Sequence, residues 1–416
     1  MQKFIVLTLV WSFVFQSTVV FAQTTPELDV LQARVTALQE YVTRLTVQWN
    51  PAVQKPVAHD EVRTSITNGV SWLVASQEES GHFAYEYLPY EDKYREDDNI
   101  VRQAGALYAL AEVARKGTVT NRETNEAIEK AIDYFETLSP VHEYEDADIR
   151  CIAKHEQSKV CKLGATALAL IGIIGYVEAN PEKEVLYKDL ITEYTAFILA
   201  SKKADSGFRD QYTIGTGFQE QESSFSNGEA LLALVRGYQY KPSEESKRVI
   251  DASFTYLEKQ SFDGNLYLWI MAALKDMNVL WPNASYTEYG KAFTLWRLAA
   301  LQQSHGSAHN YCAANEGFAS AYTLLEKNMT PQEKTQLRTE IDFWNTKNTG
   351  LQIGTDETLR AVLVDGQLVF KEIPNLAQSS GGFLTSDAVP TQRIDFTQHC
   401  INTYLQTLAD IDKQEL

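Results

Sequence analysis

The chain has 416 residues, 44% of them hydrophobic and 22% charged, a balance that excludes a largely disordered chain and a multi-span membrane protein. Lys and Arg total 37 against 55 Asp and Glu, a formal charge of −18 that repels phosphate backbones and argues against nucleic acid as a partner.

Residues 1–22 read as a secretory signal. Lys3 supplies the charge of the n-region, and Phe4 to Phe15 is an apolar run of h-region length. Val20-Phe21-Ala22 suits cleavage before Gln23. The run is short and interrupted by Gln16-Ser17-Thr18, which favours cleavage over an uncleaved anchor. A periplasmic or secreted location is therefore expected.

Residues 26–50 form a heptad stretch. Leu28, Leu31, Val35, Leu38, Val42, Leu45 and Trp49 recur at alternating spacings of 3 and 4, the period of a coiled-coil seam. Pro51 and Pro56 end it, and residues 51–59 read as a linker. Two readings stand: a short oligomerisation helix, pairing through residues 28–49 with a second copy or a partner helix, or an amphipathic helix lying on the main domain.

From residue 60 to 412 two kinds of helix alternate. Charged amphipathic segments run over Glu61–Gln77, Arg122–Thr137, Lys183–Lys203, Glu244–Gln260, Ser285–Gln303 and Pro331–Asn345. Apolar segments rich in small residues run over Asp98–Val113, Leu163–Val177, Gly228–Tyr238, Asn265–Met277, Ala313–Glu326 and Asp395–Leu408. A helix apolar all round is buried, and one with a charged face lies outside. The alternation predicts an all-α fold, an (α/α)6 toroid of helical hairpins. The Asp365-Gly366 pair between Ala361–Val364 and Gln367–Phe370 adds a small β-hairpin insertion near 360–371.

Several charged segments end in a shared phrase: Trp72-Leu73, Gln77, Gly81-His82-Phe83; then Phe197-Ile198-Leu199, Ser206-Gly207-Phe208; then Tyr256-Leu257, Gln260, Asp263-Gly264. Gly381-Gly382-Phe383 reads as a worn copy. The phrase resembles the Q–W repeat of the terpenoid cyclase and protein prenyltransferase superfamily. In outline, region 60–412 is similar also to the six-hairpin glycoside hydrolases and polysaccharide lyases. The resemblance implies the toroid and leaves the chemistry open, since many reactions use this scaffold. Terpene chemistry is disfavoured: no DxDD motif is present, and Glu96-Asp97-Asp98-Asn99 departs from DDxxD.

Four cysteines in an exported chain favour disulfides over metal ligation, and Cys151–Cys161 with Cys312–Cys400 is the expected pairing. Neither a cofactor nor a metal is expected; His305 and His309 read as loop residues without a carboxylate neighbour.

In a ring of hairpins the inner-helix N-termini gather at one mouth. The polar residues there are Asp98, Asn99, Arg102 and Gln103; Asn227 and Glu229; Trp269; Tyr311, Asn315 and Glu316; and Arg393, Asp395 and His399. Capping alone accounts for Asp98, Asn227 or Asp395. It does not account for carboxylates a turn inside apolar helices, which need a partner or a raised pKa. Glu229, Glu316, Asp98, His399 and Asp395 are thus the catalytic candidates. Arg102, Asn99, Asn227, Trp269, Tyr85, Tyr212, Asn315 and Arg393 are the substrate-binding ones. Tyr-rich loops (Tyr85, Tyr87, Tyr90, Tyr94, Tyr212) over such a cavity suit the C–H faces of sugars. The expectation is an exported glycan-processing enzyme, a polysaccharide hydrolase or a lyase/epimerase, with an oligo- or polysaccharide as its partner. The alternative is a non-catalytic subunit that binds a polymer or another protein.

Overall fold

The computed structural model describes residues 26–49, 57–145, 147–305, 309–364 and 366–415. The signal segment and most of the 51–59 linker lie outside the described residues.

The heptad stretch forms α1 (Pro26–Trp49), and a double ring of helices follows. The outer helices are α2 (His59–Ala75), α4 (Arg122–Thr137), α6 (Glu184–Ala200), α8 (Glu244–Leu257), α10 (Ala284–Gln302) and α12 (Pro331–Thr349). The inner helices are α3 (Ile100–Arg115), α5 (Leu163–Ala179), α7 (Ser224–Tyr240), α9 (Gly264–Leu280), α11 (Cys312–Leu325) and α14 (Ile394–Glu415). A short turn, α13 (Leu376–Ser379), precedes the last of them. Each inner helix packs on the next, and α14 returns to α3 and closes the ring. The all-α toroid read from the alternation is the observed fold.

Composition explains the layering. α5 is buried without a break from Leu163 to Val177. α4 buries one stripe, Thr124, Ala127, Ile128, Ala131, Ile132 and Phe135, and gives its other residues to solvent or the ring's edge. The core runs continuously around the ring.

The two ends differ. Links from an inner to the next outer helix are short: residues 116–121, 180–183, 241–243, 281–283 and 326–330. The strands all lie on outer-to-inner links, so they crowd the mouth where the inner helices begin. β1 (Glu86–Leu88) and β2 (Lys93–Tyr94) precede α3; β3 (Val141–Tyr144), β4 (Ala147–Arg150) and β5 (Val160–Lys162) precede α5. β6 (Gln211–Thr213) and β7 (Gly217–Phe218) precede α7; β8 (Leu359–Val364), β9 (Gln367–Glu372) and β10 (Gln392–Arg393) precede α14. β8 and β9 form the expected hairpin, with Val364 opposite Gln367 and Gly366 at φ 78° in the turn. β10 joins β1, and β5 joins β6, so the first hairpin is tied to the sixth and the second to the third. β3–β4 is a hairpin that the sequence pattern did not announce.

The repeated phrase has a structural meaning. Gly81 and Gly381 both sit at φ 90°, and a Cβ there would lie 2.0 Å from Lys130 O or 2.2 Å from Asn68 O, carbonyls of an outer helix. Gln77 Nε2 donates to Gly81 O (3.1 Å) and Ala127 O (2.8 Å). Gln352 Nε2 repeats this with Gly381 O (2.8 Å) and Ser65 O (2.9 Å). The Gly381 copy is therefore complete, with the β8–β9 hairpin inserted between its halves. In the second copy Ser206 takes the left-handed position, at φ 80°. The Tyr256–Gly264 segment is not a copy: Asp263 caps α9 and Gly264 is already helical, because the link is too short for the turn.

A second regularity lies at the fourth residue of each inner helix, which points outward. Gln103 Oε1, Thr166 Oγ1, Asn227 Oδ1 and Thr397 Oγ1 accept the backbone N–H of Phe83 (2.9 Å), Ile152 (3.0 Å), Phe208 (2.8 Å) and Phe383 (3.2 Å). Tyr267 donates to Thr294 Oγ1 (3.0 Å) and Asn315 to Ile341 O (3.2 Å). Each such buried group would cost about 1–3 kcal/mol if left unmet.

Both disulfides pair as expected. Cys151–Cys161 ties the end of β4 to β5, and Cys312–Cys400 staples α11 to α14. α1 lies on the domain, burying Ala37 and Tyr41 against Ala361 of the hairpin. Arg44 anchors it, donating to Ala361 O (2.6 Å) and facing Asp387 (3.6 Å). Leu28 and Leu31, in its first half, stay exposed. No helix among the described residues is long and apolar enough to cross a membrane.

Candidate functional site

Because the fourth residue of each inner helix faces outward, the sixth, about 200° further round, faces the lumen. Glu229, Trp269 and His399 are the sixth residues of α7, α9 and α14, and Glu316 is the fifth of α11. His399 Nδ1 lies 2.8 Å from Glu316 Oε2, and its ring stands 5.9 Å from that of Trp269. Glu316 is 1% exposed; burial raises its carboxyl above the usual range, offset in part by His399 and the charge of Lys275. A carboxylate held on Nδ1 fixes the ring and leaves Nε2 as the nitrogen available to a ligand.

Glu229 stands apart, with α9 and Trp269 between it and Glu316 in ring order. It is 3% exposed and makes no hydrogen bond or ion pair with the described residues. Its Oε2 lies against Gly164 of α5, where a Cβ would come within 2.2 Å. Burial alone pushes its carboxyl up to about 8, so it is mostly protonated at neutral pH.

A second group forms the rim. Asp395 accepts from Arg393 (Nε 2.9 Å, Nη2 2.5 Å) and pairs with Arg102 Nε at 3.0 Å. Both guanidinium groups stack on the Tyr85 ring at 5.5 Å, and Arg102 also bonds the Tyr85 hydroxyl. Two guanidinium charges thus share one carboxylate.

A third group lies beside the rim, along a cleft of about 630 Å³ lined by residues including His82, Tyr85, Tyr94, Asp97, Asp98 and Gln378. Asp98 Oδ1 faces His82 Nε2 at 3.3 Å and accepts from Gln103 Nε2 at 2.8 Å. Partial burial works against both charges, but the pairing wins: the Asp98 carboxyl is lowered and the His82 ring is raised.

The structure thus brings together Glu316 with His399, near Trp269, and Asp395 with Arg102, Arg393 and Tyr85. It uses three candidates differently. Asn227 and Asn315 face outward as fourth residues, away from the lumen. Tyr212 is buried among Phe197, Phe218 and His142 beside β5. The caps differ too. Asn99, not Asp98, caps α3, Ser223 rather than Asn227 caps α7, and Asp395 is the second residue of α14. His305 does have a carboxylate partner, Glu340 at 2.8 Å, supplied by α12. Sequence reasoning passed over His82, although the Gly81-His82-Phe83 phrase marked its position.

No protein-family model and no curated protein matches the sequence. Solved structures do. A GH76 α-mannanase of Bacteroides thetaiotaomicron superposes with a TM-score of 0.62 at 12% identity, covering 88% of this chain and 100% of that one. A cellobiose 2-epimerase from Bacillus thermoamylovorans gives 0.59 at 12% identity, covering 85% and 99%. An unsaturated glucuronyl hydrolase specific for heparin gives 0.56 at 10% identity, covering 86% and 99%. At such identities the likeness is one of architecture. The chain has the fold of the six-hairpin glycosidase-like α/α toroids.

Proposed function

We propose that this protein is an exported carbohydrate-active enzyme that works on an oligo- or polysaccharide at the inner-helix N-terminal mouth. The observation that carries this reading is the division of labour in the lumen. Glu229 is held protonated by burial and is suited to donate a proton. His399, oriented by Glu316, is suited to accept one. An acid and a base at the same end of the inner-helix ring, with different environments setting their states, are what glycosyl transfer or sugar epimerisation requires. The three structural neighbours above are named as enzymes of this broad kind. The signal-like residues 1–22 and the two disulfides support export.

The rim bears on the reaction. Arg102 and Arg393 share the one carboxylate of Asp395, so the rim keeps one positive charge in excess. A uronate-containing glycan is therefore as compatible with the rim as a neutral one, and hydrolysis, elimination and epimerisation are told apart by their products. The exposed Leu28 and Leu31 of α1 favour a second reading, a non-catalytic subunit that holds a polymer or another protein.

One experiment separates them. The mature chain is incubated with neutral and uronic polysaccharides, and products are read by mass spectrometry and, for epimers, by NMR. An enzyme turns over at least one substrate and loses that turnover in Glu229→Gln while keeping its fold. Full turnover in Glu229→Gln, or none in the wild type, overturns the reading.

A further inference from the structure

We infer that the opposite end of the lumen, toward the C-termini of the inner helices, is a binding site for a small oxyanion such as phosphate or a short carboxylate. It is separate from the mouth: a cavity of about 140 Å³, lined by residues including Tyr108, Lys116, Arg236, Lys275, Asn402 and Gln406. At roughly 30 Å³ per water it has room for a few waters or one small anion, and not for an oligosaccharide.

The charges around it are unevenly matched. Arg115 takes Glu112 in a two-point contact (2.8 and 2.6 Å) and faces Glu178 at 3.8 Å. Arg236 takes Asp276 at 2.6 Å and reaches Glu112 at 3.7 Å. Those three carboxylates are thus used by two arginines. Lys116 and Lys275 line the same cavity and form no ion pair with a described residue. Lys275 is half-buried; burial lowers its pKa, and Asp276 only partly offsets burial and the charge of Arg236. Arg115, Lys116, Arg236 and Lys275 thus stand against three carboxylates, Glu112, Glu178 and Asp276, of which Glu112 lines the cavity itself, so a chain with a charge of −18 has an excess of one positive charge here.

Neutral donors complete the site. Asn402 is 3% exposed, and neither its Nδ2 nor its Oδ1 has a hydrogen bond of good geometry, although the amide stands near Glu316. An amide left so would lose about 1–3 kcal/mol without a ligand or water. Gln406, which lines the cavity, accepts at Oε1 from Ser320 Oγ (2.8 Å) and Lys275 Nζ (3.4 Å), which leaves its N–H2 free to donate.

Helix dipoles explain only part of this. Cations are favoured at helix C-termini, but the effect fades within the last turn. Lys116 directly follows α3 and fits that account. Lys275 lies more than a turn before the end of α9 at Leu280, and Asn402 lies in the interior of α14. Ammonium groups and amide donors around a small enclosed space fit an oxyanion, whose several acceptors meet them all.

The test uses the purified mature chain at constant ionic strength, titrated with sodium phosphate and separately with sodium malonate, with chloride as the control. Calorimetry and thermal melting are the readouts. The expected result is saturable one-to-one binding of at least one of the two anions, with a raised melting temperature. The better ligand distinguishes a phosphate from a carboxylate source. Lys275→Gln is expected to weaken binding at least tenfold without lowering the melting temperature of the ligand-free protein, because it removes an unpaired half-buried cation. If that variant fails to fold, Lys116→Gln and Asn402→Ala decide, each with a severalfold loss. Absence of saturable binding of both anions overturns the inference. So does binding that all folded variants retain in full. Turnover at the mouth plays no part in these readouts, so the inference stands or falls apart from the proposed activity.

Discussion

Glu316 and His399 meet at 2.8 Å across the same helix seam, α11 against α14, that the Cys312–Cys400 disulfide closes. Cys400 is the next residue after His399, and Cys312 is one helical turn before Glu316. The covalent link therefore sets the axial offset of the two helices at the level where the carboxylate must reach the ring. Whether the pair so positioned works chemically is what the first prediction addresses.

Glu316→Gln should reduce turnover on the glycan identified by the substrate panel about 100-fold or more, the range typical for loss of an oriented acid–base group. The fold should persist, since a neutral side chain of the same shape replaces a carboxyl whose ionisation burial already opposes. Steady-state rates and circular dichroism together check this.

Glu229 makes stability depend on pH. Its folded pKa is about 8 against the ordinary glutamate value of 4.5, so the folded state holds a proton that the unfolded state releases between those values. The contribution is fully present below pH ~4.5 and is lost as pH rises through ~8. Over that interval the wild type should lose roughly 3–5 kcal/mol relative to Glu229→Gln. Urea unfolding of both proteins across the interval measures it, and parallel curves would rule it out.

The His82–Asp98 pair should titrate as a unit. The raised His82 contributes stability below its unfolded pKa, lost as pH rises through the folded one. The lowered Asp98 contributes above its unfolded pKa, lost as pH falls through the folded one. Asp98→Asn removes the partner, so the His82 pKa should drop, as histidine Cε1–H NMR titration would show.

The two disulfides should differ in weight. The loop closed by Cys312–Cys400 spans a separation of 88 residues and that of Cys151–Cys161 only 10. Loop entropy predicts a loss of about 4 kcal/mol for the double Ala replacement of the first pair and no more than about 3 kcal/mol for the second. Denaturant midpoints compare them.

Gly81→Ala should be far more damaging than Gly117→Ala. Both residues have positive φ, but only at Gly81 would a Cβ meet a backbone carbonyl, Lys130 O, at 2.0 Å. The expected losses are more than about 2 kcal/mol at Gly81 and about 1 kcal/mol at Gly117. Melting temperatures of the two variants give the comparison.

Much of this architecture is legible in the residues alone. The run Leu163–Val177 is apolar on every face and has to be inside, while Arg122–Thr137 carries one apolar stripe and has to lie outside. Helical period and burial are local properties, so the six-fold alternation, the Asp-Gly hairpin and the buried Glu229 and Glu316 can all be read without a fold. Cysteine pairing also followed, from the placement of Cys312 and Cys400 near the starts of two inner helices.

What each polar residue faces is not a local property. Asn227 and Glu229 are two positions apart on one helix. One closes a turn in the outer layer and the other enters the lumen, because about 200° of rotation separates them and only the packed ring defines inside and outside. The bond from Glu316 to His399, the capture of Asp395 by two arginines and the meeting of Lys275 with Asn402 join residues remote in sequence. Ring closure created those neighbours. Local period and composition set which segments are helices and which of them are buried. Ring closure set which buried polar groups are satisfied and which stay unmet, because partners remote in sequence meet only in the packed ring.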